Sequence, residues 1–416
     1  MSERSYENID SVAALKRIQS VINRTPLQLN KRLSEKYDAS IYLKREDMQV
    51  VRSYKLRGAY NKISSLTKEE RKNGVVCASA GNHAQGFSFS CKNQQIKGVV
   101  FMPSATPNQK IEQTRMFGGG FIDIILTGDT FDDCLKEALT YTKEHNMTFI
   151  PPFDDISIIE GQGTVGVEIF EDLPDVDIIL IPIGGGGLAS GVGNYFHKVR
   201  PEVKCFGVEP EGAASMKAAF SAGKPVSLEQ IITFVDGAAV KRAGDITFEL
   251  CQKYIDHIEL VPEGKVCSSI LNLYNNDAIV AEPAGALTVA SLDMFRDEIK
   301  GKKVVCIISG GNNDFDRMAE IKELSLQYEG KKHYFLVHFP QRPGALKLFV
   351  TEVMGPTDDI TRFEFIKKTQ RERGPALIGI EVQCAKDYDS LIERMKLKGF
   401  DFTEINRDKT LFEYFI

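Results

Sequence analysis

Up to about residue 320, short unbroken apolar runs alternate with longer stretches whose apolar positions return every three or four residues. The runs IYLKRE (41–46), GVVCAS (74–79), KGVVFM (97–102), FIDIIL (121–126), DIILIPI (177–183), KCFGVE (204–209) and KVVCIIS (303–309) predict strands. Several are continuous in Val and Ile, the pattern of strands buried on both faces of a parallel sheet. Their alternation with helical stretches predicts an α/β architecture. The strands are too many for one compact sheet, so two lobes are expected.

The pattern changes at KELSLQYEGKKH (322–333), a polar, lysine-rich stretch that reads as a helix end and a linker over 326–332. Beyond it come a strand HYFLVHF (333–339), a helix opened by Pro343, strands over 359–367 and 375–382, a helix over 387–399 and a strand over 400–405. The order β-α-β-β-α-β over 333–407 predicts a ferredoxin-like unit. It holds no lysine, serine or histidine arrangement that suggests chemistry, and a regulatory or association role is expected.

Composition narrows the class. A net charge of −5 without a basic cluster argues against a nucleic-acid or anionic-membrane partner. The polar start MSERSYENID is not expected to be a secretory signal. Residues 178–197 are uncharged, but Pro182 and the glycines at 184–187 break that run into a strand and a loop. Eight cysteines without CxxC pairs read as reduced thiols of a cytosolic protein. Six histidines form no HExxH pattern, and no metal site is expected.

Four short segments carry candidate chemistry. In RSYKLRGAY (52–60), Leu56, Ala59, Tyr60, Ile63 and Leu66 recur at helical spacing, with Ser53 as the expected N-cap. Lys55 then falls in the first turn, where the helix dipole disfavours a cation and lowers the amine pKa. Such a lysine can attack a carbonyl. In CASAGNHAQG (77–86) a strand stops at Ser79 and a helix begins near Asn82, which either caps that helix or meets a ligand. In CIISGGNND (306–314), Ser309 either caps a turn or offers a neutral hydroxyl.

The segment IPIGGGGLASG (181–191) runs from strand through four glycines into a helix, an arrangement that aims backbone amides at an anion. It is ambiguous by itself. Gly184, Gly186 and Ala189 also satisfy G-x-G-x-x-A, and Glu209 ends the next strand 20 residues beyond Ala189, as in a dinucleotide site. A nicotinamide-dependent oxidoreductase is therefore one reading. Lysine, phosphate cradle and strand-end serine together describe the needs of pyridoxal phosphate, whereas a dinucleotide explains only the glycines.

SYKLRGA, SAGNHAQG, GGGGLASG and SGGNND, in this order and spacing, resemble the fold-type II pyridoxal-phosphate enzymes. With IEGQGTVGVEI, VEPEGAAS and FPQRPGALKLFV, the resemblance extends to the short-form threonine dehydratase family. It implies a catalytic region over 1–325, its smaller lobe (roughly 47–150) inserted in the larger, and one ACT-like domain over 333–407. Residue by residue, it implies that Lys55 forms the Schiff base and later removes the substrate's α-proton. Asn82 meets the cofactor's 3′ oxygen, and Gly184, Gly185, Gly186, Gly187 and Leu188 hold the phosphate. Ser309 faces the pyridine nitrogen, which a serine leaves largely unprotonated. The loop Ser79, Ala80, Gly81, Asn82 and His83 receives the substrate carboxylate.

Related serine racemases carry a serine at the position of Ala80, so elimination is implied over racemisation. Their metal site has a second acid where Ser215 stands here, so metal dependence is not implied. The resemblance further implies an L-threonine substrate (L-serine being the alternative), isoleucine as effector, alone or opposed by valine, a homotetramer and a cytoplasmic location.

Overall fold

The computed structural model describes residues 8–365 and 372–415. The chain forms two compact units, Met1–Asp314 and Phe315–Ile416.

The first unit holds two sheets. The larger has six strands in the order Leu27–Leu29, Ser40–Arg45, Lys303–Ile308, Ile178–Pro182, Lys204–Pro210, His257–Val261, all parallel except the first. The smaller has four parallel strands in the order Ile122–Leu126, Gly98–Met102, Val75–Ala78, Thr148–Phe149. All four fall in sequence between the second and third strands of the larger sheet's chain order, so the smaller lobe is an insertion. The seven strands expected here form within a residue or two of their predicted ends. Leu27–Leu29, Thr148–Phe149 and His257–Val261 were not foreseen, because two are very short and the third is polar at His257 and Glu259.

Strand residues Ile179, Ile181, Val305 and Ile307 share a core with Val165 and Ile169 of helix Ile156–Asp172 and Leu188, Val192 and Phe196 of helix Gly187–Val199. Each such fully buried side chain contributes about 1.5–3 kcal/mol. Helix Ile156–Asp172 also lies tight against helix Lys55–Ser64. A Cβ on Gly161 would stand 2.5 Å from the Arg57 carbonyl oxygen, so only glycine lets these two backbones meet.

The second unit contains an antiparallel sheet in the order Asp359–Phe365, Arg373–Glu381, Lys332–Pro340, Asp401–Glu404. Helices Ala345–Glu352 and Asp387–Leu397 pack Phe349, Leu391 and Met395 against Phe335, Val337, Ile378 and Ile380. This is the ferredoxin-like arrangement. Three details differ from expectation. Helix Met318–Tyr328 and the strand from Lys332 reduce the expected linker to residues 329–331. That helix belongs to this unit, where Tyr334 donates to Glu323. Pro343 precedes its helix, which starts at Ala345 after Gly344 (φ 83°). Ile366 and Lys367, the end of the expected strand 359–367, lie outside the described residues.

Candidate active site

Lys55 is the first residue of helix Lys55–Ser64, but Ser53 does not cap it. Ser53 instead pairs as a short antiparallel bridge with Gly310, and its hydroxyl is buried without a partner. Tyr54 N–H donates to the Ser309 carbonyl (3.1 Å) and Gly311 N–H to that of Arg52 (2.9 Å). Backbone pairing, not a side-chain cap, therefore sets where the helix begins, and it places Lys55 beside the strand end at Ser309. The Lys55 amine donates to the Pro152 carbonyl at 3.0 Å. Burial lowers its pKa to about 8, partly opposed by the nearby Glu282 carboxyl. At pH 7 roughly a tenth of such an amine is neutral.

Two residues on, Arg57 anchors the same helix. It is fully buried and donates to Glu46 (2.8 and 2.8 Å) and Glu168 (2.8 and 2.9 Å). Lys44, also fully buried, donates to Glu168 at 2.6 Å and to the Thr25 carbonyl at 2.8 Å. Burial would push the Glu168 carboxyl up, but Arg57 and Lys44 hold it below the usual range. The sequence reading gave Arg57 no role, since its partners stand 11 and 111 residues away.

Asn82 opens helix Asn82–Gln94 but does not cap it, for the N-cap is Gly81. Its side chain is clamped: Asn82 Nδ2 donates to Glu282 Oε1 at 2.6 Å, and Asn312 Nδ2 donates to Asn82 Oδ1 at 2.7 Å. Glu282 and Asn312 were both missed. Asn312 follows the glycines after Ser309 with nothing local to give it a task, and Glu282 stands just before a proline-opened helix, where an acid is ordinary. In the preceding loop, Gly81 N–H donates to Ser79 Oγ at 3.2 Å, and Ala80 lies half-buried between them. His83 is buried, and its Nε2 donates to the Ile150 carbonyl at 2.9 Å. Its Nδ1 has no partner, and burial with Lys55 nearby lowers its pKa to about 3, so the ring is neutral.

Strand Ile178–Pro182 leads through Gly184, Gly185 and Gly186 (φ 94°) into helix Gly187–Val199. A Cβ on Gly185 would fall 2.3 Å from the Phe153 ring and one on Gly184 2.9 Å from Ala238 Cα. The glycines are thus required by their protein neighbours, and that tight seat gathers the amides at the helix start. Helix Gly187–Val199 begins at this turn, and the first N–H groups of a helix have no acceptor within it. Leu188 turns its side chain into the core. Because Phe153 follows Pro152, one strap touches both the Lys55 amine and the glycine turn. Ser309, buried at the end of strand Lys303–Ile308, completes the convergence through Tyr54.

Glu209, the acid of the dinucleotide reading, is committed elsewhere. Its two oxygens accept from the amides of Met216 (2.8 Å) and Lys217 (2.7 Å), capping helix Ser215–Ala222. Burial pushes its carboxyl up to about 7. Among the described residues, no His, Cys, Asp and Glu side chains gather as a metal site, and no helix is long and apolar enough to cross a membrane.

Comparison with known proteins places the chain in a family. Residues 18–310 match the family model "pyridoxal-phosphate dependent enzyme", and residues 323–415 match "C-terminal regulatory domain of threonine dehydratase". The chain is 57% identical over 408 residues to the biosynthetic L-threonine dehydratase of Halalkalibacterium halodurans, covering 98% of each chain. It is 58% identical over 400 residues to that of Bacillus subtilis, covering 96% of this chain and 95% of the other. Among solved structures it resembles the processed form of threonine deaminase isoform 2 from Solanum lycopersicum, with 39% identity, a TM-score of 0.72, and 76% and 93% of the two chains covered.

Proposed function

The chain belongs to the pyridoxal-phosphate-dependent enzymes and carries the regulatory domain of threonine dehydratases, and from that membership we propose that it deaminates L-threonine to 2-oxobutanoate and ammonia, the first committed step of isoleucine biosynthesis. The observation that carries this reading is the half-buried Lys55 amine, of lowered pKa, on a wall shared with Asn82, the glycine turn and Ser309.

The residues present fit the cofactor. A desolvated amine is available for covalent attachment, the first amides of a thirteen-residue helix suit a phosphate, and the strand-end hydroxyl of Ser309 suits an unprotonated pyridine nitrogen. When bound, pyridoxal phosphate withdraws electrons from the substrate's α-carbon and makes its proton acidic. The remaining work falls to the chain. Gly184–Gly187 and the Leu188 amide hold the phosphate, and Asn82 offers an N–H to the 3′ oxygen. The Ser79–His83 loop receives the substrate carboxylate, beside a histidine whose neutrality adds no competing charge. Lys55 would hold the cofactor covalently and would serve as the base that takes the α-proton, an amine already partly neutral at physiological pH. Ala80 supplies no proton to the opposite face, so loss of the β-hydroxyl prevails over racemisation.

The unit Phe315–Ile416 is read as the sensor of isoleucine, with valine as its opponent, in a cytoplasmic homotetramer. Such control requires isoleucine to lower threonine affinity and threonine to lower isoleucine affinity by the same factor. The test of function is borohydride fixation of the cofactor followed by peptide mass mapping, with 2-oxobutanoate measured from L-threonine and L-serine. Mass added at Lys55 and turnover of threonine over serine are expected. Unmodified Lys55, or no oxoacid from either substrate, overturns the reading.

A further inference from the structure

Glu282 is a buried acid for which the catalytic reading has no task. It is 4% exposed and stands at the start of helix Pro283–Ala290, yet its side chain does not cap that helix. The carboxyl turns instead toward Asn82, 2.6 Å away, and also accepts the backbone N–H of Asn312. Room is made for it on two sides. A Cβ on Gly310 would lie 2.3 Å from Glu282 Oε1, and one on Gly237 3.3 Å from it. From the other side Asn312 takes the Asn82 oxygen at 2.7 Å and is itself held by Gln85 at 2.9 Å. An amide whose oxygen faces a donor and one of whose N–H groups faces a carboxyl has a single favourable orientation and one N–H left over.

We propose that Glu282 is a positioning residue for the cofactor: with Asn312 it locks the Asn82 amide so that the remaining N–H faces the cofactor's 3′ oxygen. The inference rests on Asn82 being a cofactor ligand, as proposed above. It also gives the site a titratable neighbour. The groups around Glu282 are Lys55 and Tyr54 at the head of helix Lys55–Ser64, Asp236 beside Gly237, and Lys110 of helix Asn108–Gly118, which pairs with Asp236 at 2.5 Å. Burial, reinforced by Asp236, pushes the Glu282 carboxyl up to about 8. The lock therefore carries a proton at neutral pH and loses it in mildly alkaline solution.

The experiment compares wild-type, Glu282→Gln and Glu282→Ala holoenzymes. Bound-cofactor absorption, kcat and KM are followed from mildly acidic to alkaline pH, and cofactor affinity is read by fluorescence titration of apoprotein. The isosteric glutamine is expected to keep cofactor affinity while losing the wild-type inflection near pH 8. Alanine is expected to weaken cofactor binding about tenfold and to lower kcat more than it raises KM. An inflection near pH 8 that persists in Glu282→Gln, together with unweakened binding in Glu282→Ala, overturns the positioning role and leaves the proposed function standing. Failure of wild-type Lys55 to take up the cofactor overturns both.

Discussion

Lys55 and Arg57 leave the same turn of one helix, Arg57 fully buried and Lys55 half-buried, and they meet opposite surroundings. Arg57 finds two carboxylates and four short hydrogen bonds to them. Its positive charge is kept, and the pair of acids with Lys44 makes a neutral knot joining three segments of the first unit. Lys55 finds a carbonyl and a nearby acid that is itself reluctant to ionise. Its charge is loosened. Desolvation alone does not decide whether a buried cation is structural or reactive; the partner does.

That contrast can be broken at either end. The largest effect expected is on Lys55→Ala, which removes the proposed covalent anchor and base; threonine turnover should fall by at least about 10³-fold, read by 2-oxobutanoate formation. Arg57→Ala leaves two buried carboxylates facing one lysine and should cost about 3–5 kcal/mol, seen as a lower denaturant midpoint of the apoprotein. If Arg57→Ala unfolds like wild type, the knot is not structural. Gly185→Ala forces a methyl into the Phe153 ring and should destabilise by about 1–3 kcal/mol, with phosphate affinity falling in parallel in a cofactor titration.

The pH dependence of apoprotein stability sharpens the comparison further. Glu282 (about 8) and Glu209 (about 7) hold protons in the folded state that the unfolded chain has already released, so stability falls as pH rises through the interval from ordinary carboxylate values to these. Lys55 acts in the opposite sense. Its folded pKa of about 8 lies below the ordinary lysine value, so the unfolded chain binds more protons above that pH and stability recovers as pH rises. Lys55→Met should abolish the alkaline recovery and leave the acid-side slope intact, by denaturant midpoints across pH. The smallest effect belongs to Asp236→Asn, which releases the exposed Lys110 pair. It should change stability by about 0.2–1 kcal/mol and respond to salt.

The legible part of the molecule was the part with local causes. Continuous Val and Ile runs marked the parallel strands, and four glycines after a strand marked the turn, because those signals lie within a few neighbouring residues. Lys55 was legible as a first-turn lysine, although burial is the main cause of its lowered pKa, where the sequence suggested the helix dipole. Ser53 looked like a cap, but pairing with Gly310, some 260 residues later, overrode it. Arg57, Glu282 and Asn312 stayed silent for the same reason. Their meaning depends on partners up to 261 residues distant, and a charged letter in a sequence does not disclose whether it will be desolvated.

The carbonyl of Pro152 has a final implication. A carbonyl oxygen can only accept, and the lysine amine rests on this one like a latch on its catch. Before any aldehyde can bond there, that contact must be surrendered, at a cost of about 0.5–1.5 kcal/mol. The same strap seats Phe153 on the glycines. One short strap therefore bears on both the amine and the glycine turn, so a shift of either is felt by the other.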